Sequence, residues 1–347
     1  MNKYIEILRN LKEESATNDN PNSRILLVDG LNLFIRSFAA TPVVNDNGEH
    51  IGGITGSLLS MGYAIKMLKP TRVIVCFDGK GGSVRRRKLY DGYKSNRKVS
   101  QKVFRPNTYS LEEEKVSMTR QMSRLIEYMD NLPITTLAID NIEADDAIAY
   151  ITQQIYNQEE CFIMSSDKDF LQLVDDRVRV WSPTKKKLYD CESVFDEFGI
   201  HSHNFLEYRS IIGDKSDNIG GIRGAGPKSL KKQIPILFDS ESVGIHEIID
   251  YVCNSNSKSK LIETIRDSKS ILERNYQLMQ LRDVDISGFA KSSIMDSVRQ
   301  PINRLNKLAI TRMLIQDMMN TSIKNPDVWI REVFTTLNVM ADKSHSV

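Results

Sequence analysis

Between residues 20 and 200 short apolar runs, rich in β-branched residues, keep ending in a carboxylate or a turn. They are Ile25-Leu26-Leu27-Val28-Asp29-Gly30, Val73-Ile74-Val75-Cys76-Phe77-Asp78-Gly79, Thr135-Thr136-Leu137-Ala138-Ile139-Asp140, Cys161-Phe162-Ile163-Met164 running into Ser165-Ser166-Asp167, and Val178-Arg179-Val180-Trp181. Continuous apolar runs of this length predict strands buried on both faces, as in a parallel sheet. Helix-period stretches at 55–68, 111–130 and 144–156 lie between them. The alternation predicts an α/β domain over about 25–200, preceded by an N-terminal extension at 1–24. Beyond 200 the strand pattern stops. Residues 204–320 read as helical, broken by Gly-rich and Ser/Asn-rich segments at 213–226 and 253–259. A helical C-terminal domain over 201–347, packed on the first, follows from this pattern.

In such a sheet the carboxyl ends of the strands open onto one edge, where ligands bind. Asp29 and Asp78 each close a strand. Glu143, Asp145 and Asp146 open a helix, Asp167 and Asp169 follow the fourth run, and Asp214 and Asp217 begin the helical part. Each motif alone has a plain structural reading: a helix cap, a complement to a helix N-terminus or an Asx-turn. Five such events in one α/β pattern are harder to explain that way. Carboxylates gathered in one cleft repel and need counter-charge. All-oxygen ligation without His or Cys favours hard divalent ions, two Mg²⁺ with Mn²⁺ as substitute, a pair able to serve phosphodiester hydrolysis.

Composition changes the picture little, and charge distribution changes it more. The 347 residues are 40% hydrophobic and 27% charged, with a formal net charge of +2, ordinary values for a soluble chain. No run approaches the length of a membrane span, and the N-terminus has no apolar signal core. The four cysteines form no CxxC pair and read as free thiols in a reducing compartment. A cytoplasmic protein without a membrane partner is expected. Residues 80–105, however, hold ten Lys/Arg (Lys80, Arg85, Arg86, Arg87, Lys88, Lys94, Arg97, Lys98, Lys102, Arg105) against the single acid Asp91, with Tyr90, Tyr93 and Phe104 interleaved. A solvated loop is the plain reading. Cations for phosphates and rings for bases, on a surface that tracks a strand, are the functional one.

Together, Val28-Asp29-Gly30, Phe77-Asp78-Gly79, Tyr93-Lys94-Ser95-Asn96-Arg97, Glu143-Ala144-Asp145-Asp146, Ser166-Asp167-Lys168-Asp169 and Gly213-Asp214-Lys215-Ser216-Asp217-Asn218 resemble, in order, the flap endonuclease or 5′-3′ exonuclease family. That family includes the nuclease domain of bacterial DNA polymerase I. A closer resemblance is to its stand-alone ribonuclease H branch from T-even phages, through Ser165-Ser166-Asp167 and Trp181-Ser182-Pro183 with its following lysines. The chain departs from that branch in keeping Gly220-Gly221-Ile222-Arg223-Gly224-Ala225-Gly226-Pro227-Lys228.

The resemblance implies a PIN-like α/β fold with a mostly parallel sheet, an arch at about 80–125 and a helix-hairpin-helix at about 210–235. It implies a first metal on Asp29, Asp78, Glu143 and Asp145, with Asp146 alongside, and a second on Asp167, Asp169, Asp214 and Asp217. Lys94 and Arg97 would act at the scissile phosphate. Arg36, Arg85, Arg86, Arg87, Lys88 and Lys98 would contact DNA, and Tyr93 would stack on a terminal base. Gly221, Gly224, Gly226 and Lys228 would bind the duplex backbone, with K⁺ at the hairpin. The implied substrates are DNA and RNA·DNA duplexes with 5′ ends or flaps, processed by a monomer. The N-terminal helix pattern (Tyr4, Leu8, Leu11) would engage a sliding clamp or simply pack on the core, and single-stranded DNA-binding protein is a further implied partner. The competing readings are a small-domain ribonuclease and a structure-specific DNA-binding protein without catalysis.

Overall fold

The computed structural model describes residues 20–97, 110–319 and 321–346. The N-terminal pattern with Tyr4, Leu8 and Leu11, and Lys98 with the rest of the basic run through Arg105, lie outside the described residues.

Six strands form one sheet: β1 (Arg24–Asp29), β2 (Arg72–Asp78), β3 (Thr135–Ile139), β4 (Glu160–Met164), β5 (Val178–Ser182) and β6 (Lys187–Tyr189), in the order β3-β2-β1-β4-β5-β6. Pairings from β3 through β5 are parallel, and only β6 runs antiparallel to β5. The strands alternate their side chains between two apolar layers. Leu26, Val28, Val73 and Val75 face one layer, while Ile25, Leu27, Ile74 and Cys76 face the other. The antiparallel β6 is absent from the sequence expectation, because three residues after a lysine run carry no strand signal of their own.

The first layer packs on α1 (Gly30–Ala40), α2 (Gly52–Leu68) and α4 (Leu111–Asp130), and the short α3 (Val84–Leu89) precedes α4 in the chain. A capping box starts α4: Ser110 Oγ accepts from the Glu113 N–H at 3.2 Å, and Glu113 Oε2 accepts from the Ser110 N–H at 2.7 Å. Its Leu125, Tyr128 and Met129 are buried in the core, so the C-terminal half of this helix is scaffold rather than arch. On the second layer lie α5 (Ala144–Tyr150) and the helical part of the chain: α6 (Cys191–Phe198), α7 (Phe205–Ile212), α8 (Pro227–Gln233), α9 (Ile245–Asn254), α10 (Lys260–Asp267), α11 (Lys269–Met279) and α12 (Gly288–Arg299). One hydrophobic cluster runs from Ile25 to Val298, so the helical part and the sheet share a core. The last helices, α13 (Lys307–Gln316) and α14 (Pro326–Ser344), return to the first layer. Cys76 and Cys161 are buried, and all four cysteines are free. No helix among the described residues is long and apolar enough to cross a membrane.

Strand order reverses between β1 and β4, each on one side of the switch, and this is the position at which open α/β sheets bind ligands.

Candidate metal-dependent nuclease site

Asp29 closes β1 and at once caps α1, its Oδ1 accepting from the Asn32 N–H at 3.1 Å. Asp78 closes β2 and accepts from the Ala144 N–H at 2.8 Å, where α5 begins. Asp167 follows β4 and accepts from the Asp169 N–H at 2.9 Å. The plain cap-and-turn roles are therefore real for each residue, and they coexist with convergence on one edge. Gly79 follows Asp78 because a Cβ there would lie 1.8 Å from the Ile139 carbonyl oxygen, so β2 can meet β3's end only through glycine.

A cleft of about 280 Å³ opens at this edge. Asp29, Asp78, Glu143, Asp145 and Asp167 line it, with Lys94, Arg97 and Arg36 on its walls. Glu143 is almost fully buried and is ion-paired with both Lys94 and Arg86. Asp145 accepts from Arg86 at 3.2 Å. Asp146 points away from the cleft and is held by Arg85 at 2.8 Å and by Arg86 at 2.9 Å. Oxygens of Glu143, Asp145 and Asp146 nevertheless lie within 4.8 Å of one another. Asp169 and Asp214 flank the cleft and share Arg209, which is 2.8 Å from Asp169. Asp217 is paired with Arg97.

Five of the nine expected carboxylates thus line one cavity, and four sit beside it on arginine partners. The donor set is entirely oxygen. Among the described residues Asp29, Asp78 and Asp167 have no ion-pair partner, so the cleft suits a hard divalent cation.

Two of the expected DNA contacts are placed elsewhere. Arg86 is 2% exposed, its guanidinium enclosed by Glu143, Asp145, Asp146 and the Leu278 carbonyl. It is an internal counter-ion, not a surface cation. Tyr93 is also 2% exposed and packs with Leu206, Ile219, Leu278 and Met279, its hydroxyl 3.3 Å from Glu143. In this arrangement its ring has no open face for a base. Arg87, Lys88 and Arg36 are exposed, and Arg85 is half-buried against Asp146. Gly221 abuts the Ile212 carbonyl, where a Cβ would come within 2.0 Å, whereas Gly224 (φ +84°) and Gly226 are exposed on the loop joining α7 to α8 and Lys228 is exposed in the first turn of α8.

The segment before the undescribed stretch is docked onto the 214–219 turn. The Lys94 N–H donates to the Asp217 carbonyl at 2.8 Å, Asn96 donates to the Lys215 carbonyl at 2.7 Å, and Asn218 donates to the Gly92 carbonyl at 2.8 Å. Lys94 takes a left-handed backbone, φ +56°. Burial would lower its pKa, but Asp145, Glu143 and Asp217 more than offset that, so the ammonium is held charged beyond its ordinary range. Arg209 was not foreseen. Its only signal is its place near the end of α7, five residues before Asp214.

Burial, with Asp167 and Asp78 nearby, pushes the Asp29 carboxyl up to about 7. A folded-state pKa above the unfolded value makes ionisation cost stability: nothing below about pH 4, growing as pH rises, and in full above about 7. In chelator, Asp29→Asn should therefore melt higher than the parent at pH 8 and level with it near pH 4. Equal melting temperatures at pH 8 would show that Asp29 bears no such penalty.

A doubly wound α/β fold with a carboxylate cleft at its switch point and cations on the cleft walls defines a metal-dependent enzyme of phosphoester chemistry. The family described as 5′-3′ exonuclease, N-terminal resolvase-like domain, matches residues 24–199. A 5′-3′ exonuclease of Aquifex aeolicus is 31% identical over 265 residues, covering 76% of this chain and 83% of that protein. One of Bacillus subtilis is 30% identical over 222 residues, 61% of this chain and 70% of that protein. The chain belongs to the 5′-3′ exonuclease family. It covers only 28% of the thermostable DNA polymerase I of Thermus thermophilus, at 29% identity over 73% of this chain. Among solved structures, the bacteriophage T5 D15 flap endonuclease in a pseudo-enzyme-product complex with DNA and metal ions superposes with a TM-score of 0.61 at 22% identity, over 85% of this chain and 98% of that one. That likeness is one of fold.

Proposed function

We propose that the protein hydrolyses phosphodiesters near 5′ ends, nicks and flaps in DNA and RNA·DNA duplexes, leaving 5′-phosphates, in primer removal or flap processing. The observation that carries this reading is the cleft itself: carboxylates from four separate chain segments meet beside Lys94, Arg97 and Arg36. Family membership supports the reaction class. Asp29, Asp78, Glu143 and Asp145 would hold one Mg²⁺, with Asp146 alongside. Asp167, Asp169, Asp214 and Asp217 would hold the second, with Mn²⁺ able to replace either. When bound, such ions supply an activated water and charge stabilisation for the leaving oxygen.

The chain's own groups do the rest. Lys94 offers an ammonium to the phosphate's developing negative charge from inside the cleft. Arg97 and Arg36 hold the phosphates on either side. Arg97 would exchange Asp217 for a phosphate when substrate arrives. Arg87, Lys88, Lys98, the glycines Gly221, Gly224 and Gly226 of the loop, and Lys228 at the start of α8 would grip the backbone without reading sequence. In that use α7, the loop and α8 would act as a helix-hairpin-helix, whose loop would hold a K⁺ supplying positive charge toward the duplex backbone. The α/β part at 25–200 would carry the chemistry, and 201–347 would carry the duplex. A sliding clamp engaged by the N-terminal segment, and single-stranded DNA-binding protein, are the fitting replication partners of a monomer.

A labelled 5′-flap duplex tests the reading directly. Cleavage is expected with Mg²⁺, should stop on adding chelator, and should weaken steeply as salt rises. Retained binding with no cleavage under any condition would make the protein a structure-specific binding module instead. Running RNA and DNA 5′ strands side by side distinguishes primer removal from flap cutting.

A further inference from the structure

Beside the carboxylate cleft lies a second hollow of about 400 Å³ with an apolar lining. Its cause is the parity of the sheet edge. Phe77 pairs with Ala138 in the parallel register, so Phe77, Thr136 and Ala138 face the same layer. β3 is the edge strand, and on this face it offers only the small side chains of Thr136 and Ala138. Leu31, at the start of α1, and Met122 and Ile126, on α4, wall the space above them. Ala138 and Ile126 are exposed, and Leu31, Phe77 and Met122 are half-buried, so the surface is apolar yet open to solvent.

The hollow adjoins the cleft, since Leu31 and Asp78 line both. A strand whose phosphate sits among the carboxylates and Lys94 therefore has its adjoining base within reach of an apolar recess. The chemistry on the two sides matches a nucleotide: cations and carboxylates for the phosphate and its counter-ions, and a mostly apolar recess for the ring. Phe77 adds an aromatic ring to that recess, and such rings accept any base because every base has a π-face.

We propose that this hollow is a base-binding subsite, taking the unstacked nucleobase next to the scissile phosphate without preference among the four bases. The proposal rests on the nuclease reading and deepens it. Unstacking a terminal base is costly in a continuous duplex and cheap at a flap or nick. A recess that collects the freed base would thus help select ends and flaps over intact duplex.

The test is Ala138→Leu, which fills the floor from an exposed edge-strand position and touches no carboxylate. It is assayed by single-turnover cleavage on 5′-flap duplexes that are intact or abasic at the nucleotide on either side of the scissile bond. On intact substrate kcat/KM should fall roughly tenfold, of the order expected for losing one base-stacking contact. On one of the abasic substrates parent and variant should cut equally. An equal loss on all substrates, no loss on any, or faster cutting on all (the hollow being occupied by the chain itself) would each overturn the subsite. Should Ala138→Leu fail to melt like the parent, Ile126→Ala, which widens the hollow from the exposed face of α4, takes its place with the same comparison. A parent protein that cuts none of these substrates would fail the nuclease reading, a result separable from failure of the subsite.

Discussion

Lys94→Ala should lower the single-turnover rate of 5′-flap cleavage by about 10²–10³-fold, the usual loss when one preorganised donor to a developing oxyanion is removed. The fold should survive. The main chain at Lys94 is fixed by its own N–H bond to the Asp217 carbonyl, which any residue but proline keeps. Alanine also carries a Cβ, so the cost of the left-handed backbone at φ +56° is the same before and after. Glu143, the partner left behind, still has Arg86. The rival reading makes Lys94 only a counter-ion to Glu143. In that case the variant would melt lower in chelator, Mg²⁺ would restore it, and the rate at saturating Mg²⁺ would equal the parent's. Lys94→Arg separates the two further. It keeps the charge but not the compact ammonium, and should keep stability while recovering only part of the rate. A parental rate for Lys94→Ala would end its catalytic assignment.

How much of this was legible beforehand depends on which physical signal carries each element. β1, β2, β4 and β5 were readable because burial on both faces leaves an unbroken apolar run, whereas β3, the partly exposed edge strand, was readable from its β-branched run ending at Asp140. α4 was readable to the residue, since its amphipathic period and capping box agree. What pattern could not supply was direction. Asp146 and Asp145 are neighbours on a helix, about 100° apart in projection; both reach Arg86, but that rotation lets Asp145 line the cleft and puts Asp146 on Arg85. Tyr93 looked like an open stacking platform because aromatics among lysines usually are. It proved to be an anchor, since Leu206, Ile219, Leu278 and Met279 reach it from more than a hundred residues away in the chain. Arg209 joins Asp169 to Asp214 across 45 residues, a link that no local window contains.

The same blindness to direction governs the run Arg85-Arg86-Arg87-Lys88, and there it yields the second large prediction. Read as sequence, the four cations are equivalent. Wound into α3, they point in four directions, and Arg86 is the one that turns inward. The carboxylates of Glu143 and Asp146, with side chains 3% and 2% exposed, are costly to bury without a nearby positive charge, and Arg86 supplies one. It also donates to the Leu278 carbonyl at 2.9 Å, tying the end of α11 to α3 and α5. Arg86→Met keeps most of the volume and removes the charge. It should cost about 3–5 kcal/mol of stability in chelator, the usual result of breaking a buried pair from one side. Urea midpoints with and without Mg²⁺ measure it. The ion's own charge should return part of the loss, because it faces the same Glu143 and Asp145. If Arg86 were instead a phosphate contact, the variant would unfold like the parent, bind DNA more weakly and lower the salt slope by about one counterion. Only the first outcome fits a guanidinium that keeps the carboxylates of Glu143, Asp145 and Asp146 folded together while no cation is bound.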